Sequence, residues 1–401
     1  MSRVVVFALY FTAIFLQAGA YGLTFMLPRL FDSFGANEKV VGAMLALTAV
    51  STIVTVYFSG HLSDLFGRLR TLGGACIAIA LSLYLYAILD TVGIGLISAS
   101  LLLGFGWGLT YSLGPIVLTR LVAADERTRF FTLLSLFVMA GFGLAPVLAA
   151  ALEGAGYSVR DAFTLTALAC LGSAALFFGL NGAVKAHAIT PVAEVPSRIT
   201  LAALRGVARS PALLPVGMIC LGASVFAGMA NFQTVFADAR GLDYAQFFLT
   251  YTTTVVVGRM ILARYKGGAN TYRTIAVLQY IMGGSVVLFI FSGSSLPAYL
   301  LVAFLFGIGY GMSHPLLVSM AAQDADDGLG AQTLQLFALT YFIGIFGFPL
   351  IAGWMIVEVG TTALLILTAM LAIIEATLAL RRAQRKNRPH QSGADGLRSD
   401  P

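Results

Sequence analysis

Three acidic or basic side chains stand inside long apolar stretches of this sequence: Arg259, His314 and Glu375. A charge in such a place is costly and points to function by default. Arg259 sits in the run Thr-Val-Val-Val-Gly-Arg-Met-Ile-Leu. Two readings of it stand: it faces a central cavity and attracts an anionic group, or it snorkels to a nearby interface marked by Arg264. His314 titrates near neutral pH and suits a coupling proton, or it is a hydrogen-bonded packing residue. Glu375 lies about two turns from the charged end of the last apolar run, where a structural or interfacial role is expected. Asp32 and Glu153 fall at run ends, where solvation is expected, and they remain candidates for proton exchange. Neutral polar groups are interspersed: Gln17, Tyr21, Tyr111, Asn231, Gln233, Tyr251, Tyr310, Gln332 and Gln335. Their amides and phenols suit the lining of a cavity for a small polar or amphipathic solute, although many such groups only tie helices together.

Other reactive residues are placed so as to exclude several chemistries. The histidines, at 61, 187, 314 and 390, are far apart. Cys76, Cys170 and Cys220 have neither a disulfide framework nor a metal-ligand spacing. No Gly-x-x-x-x-Gly-Lys-Ser/Thr occurs, which argues against ATP-driven work. No two methionines are four residues apart, so copper handling has little support. No enzyme activity, cofactor or metal is expected. The rival class is a polytopic membrane enzyme, which would want clustered His, Asp or Glu near one interface.

The elements that must position these residues follow from composition. The chain has 401 residues, 59% hydrophobic and 10% charged, against roughly 25% charged in soluble domains. So much apolar surface implies a lipid solvent. Crossing the hydrocarbon core takes about 20 apolar residues in a helix. Such runs lie at 4–27, 40–59, 72–90, 94–119, 129–152 and 162–182, then at 212–236, 245–263, 274–292, 296–320, 330–356 and 361–380. The first run is too long for a signal core and is read as a retained helix. The organisation expected is a six-helix bundle over 1–182, a polar linker over 183–211, a second six-helix bundle over 212–380 and a disordered tail over 381–401. Residues 198–209 of the linker suit a short amphipathic helix on the membrane surface.

Orientation follows from lysine and arginine. With the N-terminus in the cytoplasm, 19 of them fall on the cytoplasmic side and four on the outer side. Both termini are therefore expected in the cytoplasm. The net charge of +6 then reflects basic cytoplasmic loops, and no nucleic-acid partner is expected.

The two sets of helices rhyme. Gly104, Gly106 and Gly108 of the fourth run match Gly307, Gly309 and Gly311 of the tenth at an offset of 203 residues. Gly141 and Pro146 match Gly344 and Pro349 at the same offset. Two related six-helix halves with a site between them are an architecture of secondary transporters.

The loop after the second run reads Gly60-His-Leu-Ser-Asp64-Leu-Phe-Gly67-Arg68-Leu-Arg70. It resembles the signature of the major facilitator superfamily, with Leu65 where a basic residue is usual. The resemblance extends over residues 1–380. It implies an all-α integral membrane fold of twelve helices in two pseudo-symmetric six-helix bundles. It also implies that Gly60, Asp64, Gly67, Arg68 and Arg70 form a cytoplasmic gate that locks the halves together in one state of the cycle. The alternative is a solvated loop whose charges serve orientation only. In physical terms Gly60 and Gly67 allow a tight turn, and Asp64 suits a helix N-terminus or an arginine. The second copy keeps Arg264 and Lys266 but lacks the Asp. Crossed contacts are expected: Arg68 or Arg70 with Asp324, Asp326 and Asp327, and Arg264 or Lys266 with Asp125 or Glu126.

The resemblance is closest to bacterial twelve-helix drug and metabolite exporters. It implies a monomeric, multi-pass transporter of the cytoplasmic membrane, whose partners are the lipid bilayer, a small-molecule substrate and protons if transport is coupled. Proton-coupled efflux by alternating access is the leading expectation, and an importer or facilitator of a small metabolite is the alternative. Ser100 stands where many proton-driven exporters have arginine. Gly141, Gly143 and Pro146 match the antiporter pattern only loosely.

Overall fold

The computed structural model describes residues 1–123, 126–188, 200–262 and 270–386, and every regular element among them is helical. The first half contains α1 (Arg3–Asp32), α2 (Glu38–Phe66), α3 (Arg68–Ile88), α4 (Ile94–Leu121), α5 (Arg127–Gly154) and α6 (Val159–Ala186). The second contains α7 (Leu213–Ala230), α8 (Tyr244–Leu262), α9 (Thr271–Phe291), α10 (Leu296–Gln323), α11 (Gly330–Glu358) and α12 (Thr361–Lys386). Eleven of these are long and apolar enough to cross a membrane. The twelfth, α8, is less apolar because it carries Gln246, four threonines and Arg259.

Local chemistry sets the ends and breaks. Asn37 caps α2 by accepting from the Lys39 N–H at 3.2 Å. Ser158 and Asp161 form a capping box on α6. Gly67, at φ +84°, makes the turn from α2 to α3, a conformation other residues avoid. In α11 the helix widens to a π-turn over Ile343–Gly347 just before Pro349, whose missing N–H breaks the regular ladder.

The halves pack alike. In the first, α1 lies against α5 and α6, α2 against α4, and α3 against α4 and α6. In the second, α7 lies against α11 and α12, α8 against α10, and α9 against α10 and α12. The repeated glycines do the same work in each. Gly104 abuts Thr48 and Ser51 of α2, and Gly307 abuts Tyr251 and Thr254 of α8. Gly106 meets Ala75 and Ile79 of α3, and Gly309 meets Leu278 and Met282 of α9. Gly141 touches α1 at Phe15, and Gly344 touches α7 at Cys220. A side chain at any of these six would drive the helices apart. Hydroxyls add polar ties, as where Tyr10 donates to the Gly114 carbonyl at 2.7 Å and Ser173 to that of Ala13 at 2.8 Å.

Between the halves the main seams are α2 with α11 and α5 with α8. Leu201–Arg209 forms the short helix of the linker, capped by the Thr200 hydroxyl and burying Ala203 and Val207. Helix α12 runs on to Lys386, past the tail boundary expected at 381, because Arg382 is held by Asp324 at 3.2 Å. The disorder expected of the tail beyond Lys386 lies outside the described residues.

Candidate functional site

Arg259 is the centre of the site. It is 7% exposed and does not snorkel to the interface. Its Nε donates to the Gly311 carbonyl of α10 at 3.2 Å, and its Nη1 donates to the Ser135 hydroxyl of α5 in the other half. Pro315, four residues on in α10, has no N–H to give, which leaves the Gly311 carbonyl free for the guanidinium. Tyr111, Tyr251, Tyr310, Tyr341 and His314 all lie within electrostatic reach. Tyr341 stacks on Tyr111 across the halves, with ring centroids 6.0 Å apart, and meets His314 edge-on at 5.4 Å. Among the described residues no carboxylate pairs with Arg259.

A guanidinium buried in a membrane bundle without a counter-charge is costly, about 3 kcal/mol for one at a helix centre on the gentlest scale. Its two neutral acceptors offset part of that. The remaining N–H donors and the surrounding ring edges suit a bound anion with an apolar body.

Further along α1 and α7 the lining is aromatic and amide. Tyr21 packs on Trp107 at 5.1 Å, on Phe142 at 4.5 Å and, across the halves, on Phe346 at 5.5 Å. Among the described residues several buried polar atoms along the bundle have no hydrogen-bond partner. They include Gln17 Oε1, the Tyr21 and Tyr251 hydroxyls, Asn231 Oδ1, Thr252 Oγ1, Gln332 Oε1 and Gln335 Oε1. Leaving such a group unmatched costs roughly 1–3 kcal/mol, so each is a candidate contact for a polar guest. Gln233 stands apart: its amide donates to the Tyr299 hydroxyl at 2.6 Å, which ties α10 to the segment following α7.

The side remote from the termini is closed. Arg29 of α1 bridges Glu153 of α5 at 3.1 Å and Asp238 of the other half at 3.3 Å. The Tyr244 hydroxyl of α8 donates to Glu153 at 2.8 Å, and Lys39 of α2 pairs with Glu358 of α11. Behind these pairs the seam is backbone-tight, with Gly42 against the Pro349 carbonyl and Gly353 against that of Glu38. Glu153 is thus an ion-pair partner, whereas Asp32 is exposed.

On the terminal side the described ion pairs stay within one half. Asp324 takes Arg382 and, at 2.7 Å, the Tyr272 hydroxyl, and Glu126 takes Arg3 at 2.7 Å. These differ from the crossed pairs expected for Asp324 and Glu126. Asp326 and Asp327 are exposed. Asp125, Arg264 and Lys266 lie outside the described residues. The Arg3 hydrogen bond holds the Glu126 carboxyl below the usual carboxylate range. Asp64 is exposed and unpartnered among the described residues, and Arg68 and Arg70 line a groove with Arg120 and Lys185. Only Gly67 makes the turn; Gly60 is helical with open space beside it.

Sequence reasoning passed over Ser135, Thr252 and Tyr341. Tyr341 had a signal, a phenol in an otherwise apolar stretch of α11. Ser135 and Thr252 had none, since a small hydroxyl in a membrane helix usually bonds its own backbone.

Comparison with known proteins agrees with this architecture. A family model described as Major Facilitator Superfamily matches residues 9–349. Among solved structures, that of the human organic anion transporter MFSD10 (TETRAN) superposes with a TM-score of 0.67 at 17% identity. The match covers 94% of this chain and 100% of that one, and at this identity the likeness is one of fold. No curated protein matches in sequence.

Proposed function

The chain belongs to the major facilitator superfamily and is a membrane transporter; from that premise we propose that it carries small organic anions, with Arg259 as the residue that binds the anionic group. The observation that carries this reading is a buried guanidinium held, among the described residues, by neutral acceptors and ringed by tyrosines. A monocarboxylate with an aromatic or aliphatic body satisfies both features: its oxygens pair with the fork, and its body meets the rings. The fold neighbour being an organic anion transporter agrees with this chemistry.

The cycle is alternating access between the halves. Closure of the remote side by Arg29, Lys39 and their partners corresponds to a state open toward the termini. With both termini in the cytoplasm, as the lysine and arginine bias indicates, this state loads from inside. Efflux is then the natural direction. A membrane potential negative inside expels an anion with about 2.3 kcal/mol per charge per 100 mV, and a proton entering in exchange adds to the drive. The gate loop Gly60–Arg70 locks against the opposite half when the terminal side closes.

The test is an efflux assay in cells lacking the protein and cells overproducing it, using labelled monocarboxylates, neutral amides of the same acids and organic cations. The proposal expects overproduction to lower retention of the carboxylates alone, and an uncoupler to raise it. Equal handling of acid and amide would remove the role given to Arg259.

A further inference from the structure

Inside the second bundle Glu375 is neither interfacial nor solvated; it is fully buried where α7, α9, α10 and α12 meet. Its Oε1 accepts from the Gln279 amide of α9 at 2.9 Å, and the same amide nitrogen donates to the Ser313 hydroxyl of α10 at 3.1 Å. Both hydrogens of that amide are therefore spent. Among the described residues two oxygens of this pair remain without a partner, Gln279 Oε1 and Glu375 Oε2. Both are acceptors unless the carboxyl carries a proton. A proton on Oε2 turns it into a donor, the kind of group that Gln279 Oε1 lacks.

The surroundings fit a neutral acid. Among the described residues no charged side chain from α7, α9, α10, α11 or α12 acts on Glu375, and the one titratable neighbour that senses it is the Cys220 thiol of α7. Gly222 of α7 leaves room for the carboxyl, since a methyl group there would stand 2.9 Å from Oε2 and 3.0 Å from Oε1. A bare carboxylate in this apolar junction would be an uncompensated buried charge.

We propose that Glu375 and Gln279 form a proton-binding site in the second bundle, with the Glu375 carboxyl as the group that takes up and releases the proton. Release breaks the carboxyl O–H bond, leaves a carboxylate and passes the proton to water, so it requires a state in which α7 draws back from α12 and admits water. The site is wired to the anion site. Ser313 accepts from Gln279 and donates to the backbone carbonyl of Tyr310, a member of the ring around Arg259. Displacement of α10 by the anion therefore reaches the acid–amide pair. This coupling rests on the transporter reading above; the proton site itself does not.

Infrared difference spectroscopy of the full-length protein in lipid nanodiscs tests the site without any substrate. The wild type should give a protonated-carboxyl band that fades as pH is raised, and Glu375→Gln should lack it. Gln279→Leu keeps the carboxyl and should move the band toward that of an unbonded acid, which decides the matter even if Glu375→Gln fails to fold. No Glu375-dependent band, or one indifferent to pH and to Gln279→Leu, overturns the proposal. In proteoliposomes with an imposed pH gradient, Glu375→Gln should still exchange labelled benzoate but should lose its accumulation down to the level of empty liposomes. Accumulation equal to wild type overturns the coupling. A wild type that shows the titrating band yet ignores benzoate upholds the proton site and contradicts the anion reading.

Discussion

At the scale of single residues, the account turns on what holds a buried charge. Arg259 was legible as an ionisable residue in an apolar run. Its direction was not, because snorkelling and inward facing need the same stem, and the choice is made by the Gly311 carbonyl and by Ser135 of another helix. Glu375, six residues from the first basic residue of its helix, was read as structural or interfacial; Gln279 of α9 holds it away from the interface. Arg259→Lys keeps the charge but loses the planar fork. Its KM for benzoate should rise about tenfold, roughly 1.4 kcal/mol, with the maximal rate little changed. Kinetics in proteoliposomes would measure the split. The Arg3–Glu126 pair gives a pH-dependent prediction. The Glu126 carboxyl is depressed in the folded state, so its contribution is present above its unfolded value and is lost as pH falls through the folded one. Melting temperatures of wild type and Glu126→Gln should differ slightly at neutral pH and converge in acid.

At the scale of elements, glycine spacing was the most informative signal. The offset of 203 residues placed Gly104 with Gly307 and Gly106 with Gly309, and each pair faces equivalent neighbours. Run length located the helices but not their irregularities. Pro349 sets the π-turn locally, whereas the end of α12 is tied at Arg382 to Asp324, 58 residues away. The same logic ranks the forces closing the remote side. Lys39 and Glu358 are 38% and 46% exposed, and such a pair contributes about 0.2–1 kcal/mol. The glycine seam admits no side chain at all. Forcing Val into Gly353 should cost about 1–3 kcal/mol in the closed form and more than removal of the ion pair. Thiol labelling of a cysteine placed at Thr234, which the closed remote side buries, should therefore rise strongly in Gly353→Val and only slightly in Lys39→Ala. Equal labelling would mean that the ion pair, not the seam, does the closing.

At the scale of the whole molecule, two similar bundles meet along α2–α11 and α5–α8, and the seams are related by the same exchange of halves that relates the glycines. Composition and run length were enough to read twelve helices, because a lipid solvent forces helices of fixed length, whereas the seams were not legible. The state of the molecule was not legible, since Arg29 and Asp238 are 209 residues apart and their pairing belongs to one conformation. When the remote side opens, the terminal side must close, bringing Arg68 toward the acidic loop after α10. Arg68→Glu should then slow transport, and Asp324→Arg or Asp327→Arg should partly restore it; no rescue in either pairing would remove the gate assigned to that loop. The most direct measurement of the central claim is counterflow of labelled benzoate in proteoliposomes preloaded with unlabelled benzoate, comparing wild type with Arg259→Gln. The account predicts transient accumulation by wild type, none when the preload is benzamide, and none by Arg259→Gln. Accumulation by Arg259→Gln equal to wild type would contradict it.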